Sequence, residues 1–209
     1  MPRISTSLIR KASRIRPGLH LLLPECRTLE QAKLEYKWLT EELPPDKSIR
    51  WACLQRYKHV PLQYILRSQP FGALDIVCKP GVLIPRWETE EWVMAIIRAL
   101  NNSMLSRHTI PLHICDTFTG TGCIALALSH GIANCTFTAI DVSTRAIKLV
   151  KENMLKNKVS GGKLVQHNIL SSKASDEYPS HIDILTGNPP YIRKRDFNRD
   201  VKTSVKLFE

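Results

Sequence analysis

The sequence predicts an α/β fold built on a parallel sheet, and three observations carry that prediction. Between residues 112 and 185, short apolar runs alternate with amphipathic helical stretches, a rhythm that sets parallel strands side by side with helices on their faces. The strand ending at Cys115 runs through Asp116-Thr117-Phe118-Thr119-Gly120-Thr121-Gly122 straight into a helix, a glycine turn at which backbone can approach a ligand. The following strand leads to Asp141, a carboxylate at the edge where such sheets hold a ribose.

Taken in order, residues 1–24 carry Arg3, Arg10, Lys11, Arg14 and Arg16 and no acidic side chain, with Ser5, Thr6, Ser7 and Ser13 among them. Ile4, Leu8 and Ile15 fall near helical spacing, so the stretch is expected to be a mitochondrial targeting leader; the competing reading is a basic amphipathic first helix. Residues 25–60 predict a helical lobe. One helix presents Leu29, Ala32, Tyr36 and Leu39 before Pro44-Pro45; a second, capped by Asp46, presents Ile49, Ala52, Cys53 and Tyr57. Residues 61–86 predict a β-hairpin connector, with strands at Leu62 to Leu66 and Phe71 to Val77 about a turn at Gln69-Pro70.

Residues 87–209 form the main domain. Glu88 to Leu100 reads as a helix with Trp92, Val93, Ile96, Ile97 and Leu100 inward. Strands are expected at Leu112 to Cys115, Cys135 to Ile140, Leu164 to Gln166 and Ile182 to Leu185, and helices from Gly122 to Ser129 and Ser143 to Asn157.

Composition narrows the function. A chain of 209 residues has room for a full domain and a smaller one, and no stretch approaches membrane-spanning length. The six cysteines form no C-x-x-C pair and the seven histidines no ligand-spaced cluster, so disulfides and metals are not expected. The net charge of +11 is localised: residues 1–24 hold +5 and residues 192–206 hold +4, leaving +2 for the rest. Enzymes that extract a nucleic-acid base work from a broad basic surface, which this body lacks. The second basic segment, around Arg193-Lys194-Arg195, is either a solvated loop or a face for an acidic or RNA-bound partner.

The chemistry is written most plainly in Asn188-Pro189-Pro190-Tyr191, which follows the run Ile182-Asp183-Ile184-Leu185. Both prolines have φ fixed near −65° and neither donates an N–H, so the loop is stiff and its carbonyls face outward. The Asn188 carboxamide oxygen and the Pro189 carbonyl beside an aromatic face make a clamp for a planar NH2 group. That suits methyl transfer to an amide or an exocyclic amine. An ordinary strand-ending turn is the bland alternative. The glycine turn departs from G-x-G-x-x-G, with Ile124 and Ala125 where a dinucleotide fingerprint would run on, so a pyrophosphate is disfavoured. S-adenosylmethionine needs the close turn and the acid only.

Pro61-Leu62-Gln63-Tyr64-Ile65-Leu66, Leu83-Ile84-Pro85-Arg86-Trp87-Glu88-Thr89-Glu90, Thr119-Gly120-Thr121-Gly122 and Asn188-Pro189-Pro190-Tyr191-Ile192 recur in this order in the HemK/PrmC family, the protein N5-glutamine methyltransferases of peptide-chain release factors. The chain resembles that family over nearly all its length after the leader and, with the leader, its yeast mitochondrial branch. The resemblance implies a Rossmann-like class I methyltransferase domain, S-adenosylmethionine as donor, and the glutamine of a Gly-Gly-Gln tripeptide in a class I release factor as acceptor. It implies Asn188, Pro189 and Tyr191 as catalytic residues, joined by Pro190 in holding the substrate. Phe118, Thr119, Gly120, Thr121, Gly122, Asp141, Asn168, Ile169 and Asn188 would line the cofactor. The helical lobe would contact the release factor, with location in the mitochondrial matrix and no direct contact with membrane or nucleic acid.

Three positions depart from the family. Phe118 replaces a glycine and must lean away from the cofactor; Trp87 replaces a proline; Asn168 replaces an acidic residue at the adenine amine, from which a carboxamide oxygen can still accept. Family members continue well beyond Phe208-Glu209, so the domain is expected to be C-terminally incomplete here; otherwise its sheet has an exposed edge. Rival readings are an adenine-N6 methyltransferase acting on DNA or RNA, a non-catalytic binding module, and a dehydrogenase.

Overall fold

The computed structural model describes residues 4–103, 111–171, 176–190 and 203–208. It divides into two units, Met1–Arg67 with Lys194–Glu209, and Ser68–Arg193.

In the first unit α1 (Thr6–Ile15) is capped by Ser5, whose Oγ accepts from Leu8 N at 3.2 Å. It buries Ala12 and lays Leu8, with Ile4 just ahead of the helix, against an apolar core that includes Leu22, Leu23 and Leu39. A 3₁₀ turn (Leu19–Leu22) and α2 (Leu23–Cys26) lead into α3 (Leu29–Glu42), capped by Thr28 and burying the four apolar residues its periodicity marks. In α4 (Ile49–Tyr57) the cap is Ser48, not Asp46. A cap must immediately precede the first helical residue; Asp46 lies too early, and its carboxylate instead takes the Arg67 guanidinium at 2.9 and 3.1 Å. Tyr57 faces outward, and Arg56 takes the inward position, bonded to Glu35 and to the Val60 carbonyl. A buried cation is tolerable there because a carboxylate and a carbonyl receive it.

The run Leu62 to Leu66 is a helix, α5 (Leu62–Leu66), not the expected strand. A short apolar run fits either period, and here burial decides: helical spacing sets Leu62, Ile65 and Leu66 together on the lobe core. The last element of this unit is α9 (Thr203–Phe208), whose Phe208 carbonyl accepts from Tyr64 Oη at 3.3 Å.

The second unit opens with the hairpin, β1 (Ser68–Phe71) and β2 (Leu74–Val77). It reverses at Gly72-Ala73, not at Gln69-Pro70, because Phe71 pairs directly with Leu74 and Gly72 supplies the positive φ of +58° that a two-residue loop requires. Pro70 sits within the strand, where a two-stranded ribbon has an edge to spare its missing donor. The helix α6 (Trp87–Asn101) buries Val93 and leans Trp92, Ile96, Ile97 and Leu100 on the sheet core.

Four parallel strands follow, β3 (Leu112–Thr117), β4 (Cys135–Asp141), β5 (Gly162–Gln166) and β6 (Ile184–Gly187), in the order β5-β4-β3-β6. The helix α7 (Cys123–Gly131) joins β3 to β4 and is apolar enough that Cys123 through Leu128 are all buried; α8 (Thr144–Lys156) joins β4 to β5. The ladder carries β3 and β4 on to Thr117 and Asp141 and shifts the expected strand Ile182–Leu185 to Ile184–Gly187, because Thr117 pairs with Ile140 and Gly187 and Asp141 with Gln166.

Two asparagines one turn apart, Asn153 on α8 and Asn157 at its C-cap, hold the hairpin. Asn153 Oδ1 accepts from Val77 N at 2.7 Å and its Nδ2 donates to Val77 O at 3.3 Å; Asn157 does the same to Asp75 at 2.9 and 3.1 Å. The carboxamides stand in for a neighbouring strand. Ion pairs Lys79–Glu152 and Lys156–Asp75 flank them.

Candidate active site

In a parallel sheet every strand ends at the same edge, and the strand order reverses between β3 and β6, the place where such sheets open a crevice. The glycine turn leaves β3 there. Thr119 N donates to the Ile140 carbonyl at 3.1 Å and Gly122 N to the Thr119 carbonyl at 2.8 Å. Gly122 (φ +80°) begins α7, and an added Cβ would lie 2.8 Å from Val150 Cγ1, so packing and backbone both demand glycine. At Gly120 (φ +56°) an added Cβ meets nothing nearer than Val82 Cγ1 at 3.7 Å, leaving that face open. Phe118 also has a positive φ, +56°, and its ring lies toward β6: a Cβ built at Gly187 would stand 3.8 Å from Phe118 Cδ2. The left-handed backbone at an aromatic residue costs on the order of 1–2 kcal/mol.

Asp141 ends β4 beside this turn. Its Oδ2 accepts from Gly120 N and its Oδ1 from Ser143 N, each at 2.9 Å. Every carboxylate oxygen can accept twice, so both retain a position for a hydroxyl. At the end of β5, Asn168 is exposed with Oδ1 taking Leu170 N at 3.1 Å, while Ile169 is half-buried. The carboxamide oxygen is thus already engaged once by its own loop. Asn188 is half-buried and comes directly after β6, with Pro189 and Pro190 exposed behind it. Tyr191 and the Arg193-Lys194-Arg195 stretch lie outside the described residues. The glycine turn, Asp141, Asn168-Ile169 and Asn188 therefore occupy the carboxyl ends of four adjacent strands.

Pattern reading passed over Asp116. It is fully buried on β3, with Oδ2 accepting from Thr119 Oγ1 at 2.6 Å and Oδ1 from Thr186 Oγ1 at 2.7 Å. Burial pushes its carboxyl up to about 6 despite these donors and the backbone N–H of Ala125. The only signal available was a carboxylate inside the strand that leads into the glycine turn. Among the described residues no group of three His, Cys, Asp or Glu side chains is placed to hold a metal, and no helix is long and apolar enough to cross a membrane.

An open glycine face, a helix start and a carboxylate with spare acceptor positions fit an adenosine-bearing donor of methyl groups. Residues 97–206 match the family model of the methyltransferase small domain. The Schizosaccharomyces pombe protein named "Probable MRF1 mitochondrial N(5)-glutamine methyltransferase mtq1" is 38% identical across 100% of this chain and 71% of its own length. The chain belongs to the release factor glutamine methyltransferases. As a member of this family it is an S-adenosylmethionine-dependent methyltransferase. The release factor glutamine methyltransferases of Flavobacterium psychrophilum and Fusobacterium nucleatum are 36% and 33% identical over 71% and 84% of the chain. The chain spans 50% and 48% of those two, about half the length of these bacterial relatives. Among solved structures, the N-terminal domain of human METTL16 is similar at a TM-score of 0.46, with 17% identity over 91% of this chain and 70% of that one.

Proposed function

We propose that this chain methylates the side-chain amide nitrogen of a glutamine, that of the Gly-Gly-Gln tripeptide of a class I peptide-chain release factor, in the mitochondrial matrix. The observation that supports it best is Asn188 at the end of β6, next to the strand that delivers the glycine turn, with Asp141 one strand beyond. The relatives' names give the substrate class. The acid-free, arginine-rich segment 1–24 and the mitochondrial S. pombe relative support the location.

The chemistry divides between donor and acceptor halves. S-adenosylmethionine supplies an electrophilic methyl group on a sulfonium. Asp141 would accept from ribose hydroxyls, and Thr119 through Gly122 would let backbone lie against the donor, with Asn168 and Ile169 bordering the base. The acceptor nitrogen is a poor nucleophile because its lone pair is delocalised into the carbonyl. Asn188 Oδ1 and the Pro189 carbonyl, each accepting one amide hydrogen, would fix that nitrogen and turn its lone pair toward the methyl carbon, while Pro190 and Tyr191 bound the amide plane. Held this way, the nitrogen would take the methyl carbon as the thioether leaves with the S–C electron pair, and its proton would then pass to water, so no general base is required of the chain. Alignment of this kind contributes roughly 7–11 kcal/mol when it is good.

Donor labelled in its methyl group, offered together with release factor and with RNA and DNA, tests the assignment. Label is expected in the protein alone. Label in adenine would replace this reading with the nucleic-acid one, and donor binding without transfer to any acceptor would leave a binding module.

A further inference from the structure

We propose that Asp116 is a positioning residue that holds the cofactor turn and the strand bearing Asn188 in one register, with Thr119 and Thr186 as its two arms. The proposal rests on the methyl-transfer reading for what is aligned, and on the geometry for the latch itself. Asp116 and Thr186 are direct partners in the β3–β6 ladder, so their side chains share a face of the sheet. One oxygen of Asp116 receives the Thr186 hydroxyl, and the other receives the Thr119 hydroxyl three residues on. A second bolt lies alongside: Thr117 Oγ1 donates to the Thr186 carbonyl at 3.0 Å. All four side chains are buried, Asp116 completely.

A carboxylate without a cationic partner in that position is costly, and an apolar residue would pack the sheet at less expense. What the carboxylate adds is direction. Its two oxygens lock donors from two different elements into fixed places, and neither threonine can swing without leaving a buried charge short of a bond. Each arm ends near one half of the reaction. Thr119 adjoins Gly120, whose N–H rests on Asp141 at 2.9 Å; Thr186 is two residues before Asn188. Asp141 therefore fixes the turn from the donor side, and Asp116 ties the same turn to the acceptor strand.

The two arms make separable predictions on the full chain. Thr186→Val keeps shape and removes one hydroxyl; it should leave the donor dissociation constant within about 3-fold and slow transfer to release factor by about 10–100-fold. Thr119→Val should weaken donor binding by about tenfold. Thr186→Ser, which restores the hydroxyl, should recover most of the rate. Hydrogen exchange on the same proteins should quicken over residues 184–188 in Thr186→Val and not around Gly120. Equal losses of binding and rate in both valine variants, no rescue by serine, or unchanged exchange at 184–188 would each overturn the latch. Parental protein that transfers nothing to glutamine would refute the functional reading instead, and the exchange data would still decide the latch.

Discussion

In the proposed reaction Asn188 meets the most specific demand in the site, its Oδ1 accepting one hydrogen of a flat nitrogen whose other hydrogen goes to the Pro189 carbonyl. Asn188→Ala is expected to bind S-adenosylmethionine almost as the parent does and to lose at least about 100-fold in transfer, read by calorimetry beside a single-turnover assay. Near-parental transfer by that variant would remove the clamp. Gly122 makes a different demand. Its left-handed φ and the closeness of Val150 mean that Gly122→Ala should destabilise the chain by about 2–4 kcal/mol, read as a fall in the urea midpoint. Gly120 has the same backbone sign but open space, so Gly120→Ala should cost less stability and more donor affinity.

At the scale of elements, what could be read from sequence was what repeats locally. Helices α3 and α8 combine helical spacing with a true cap, Thr28 and Ser143, and fall within a residue or two of expectation. The glycine turn and Asp141 were legible because both lie where strands end. Leu62 to Leu66 misled because a run of five residues fits two periods, and only the lobe core chooses between them. The hairpin turn misled because Pro70 looked like punctuation, whereas the reversal needed the positive φ of Gly72. Asp116 and Asn153 went unread for a common reason: each has a decisive partner far along the chain, 70 and 76 residues away. Asn153 is fully buried and bonds Val77 of the hairpin as well as the Thr121 carbonyl of the turn at 2.9 Å. Replacing it with alanine leaves a buried N–H and two carbonyls short of partners. Asn153→Ala should cost about 2–4 kcal/mol and accelerate exchange of the Val77 amide. Asn157→Ala, which frees only the exposed Asp75 of the same strand, should do less.

Across the whole molecule, Asp116 couples stability to pH. Its carboxyl titrates near 6 in the folded chain, against 3.8 for the free side chain, so the folded state holds a proton that the unfolded state has lost. Stability from this group therefore falls as pH rises from 3.8 to about 6 and is level above. The charge of Asp141 adds to the upward push of burial on Asp116, and the neighbouring thiols of Cys115 and Cys123, themselves raised chiefly by burial, stay neutral over this range. Asp116→Asn should abolish that slope in denaturant titrations taken pH by pH; an unchanged slope would assign it elsewhere. Function at this scale comes down to where one methyl group goes. Mass spectrometry of a release-factor peptide spanning Gly-Gly-Gln, after incubation with this protein and S-adenosylmethionine, reads that directly. One added methyl on the glutamine side-chain amide is the expected product, and a methyl group on any other residue, or an unmodified peptide beside methylated adenine, would contradict it.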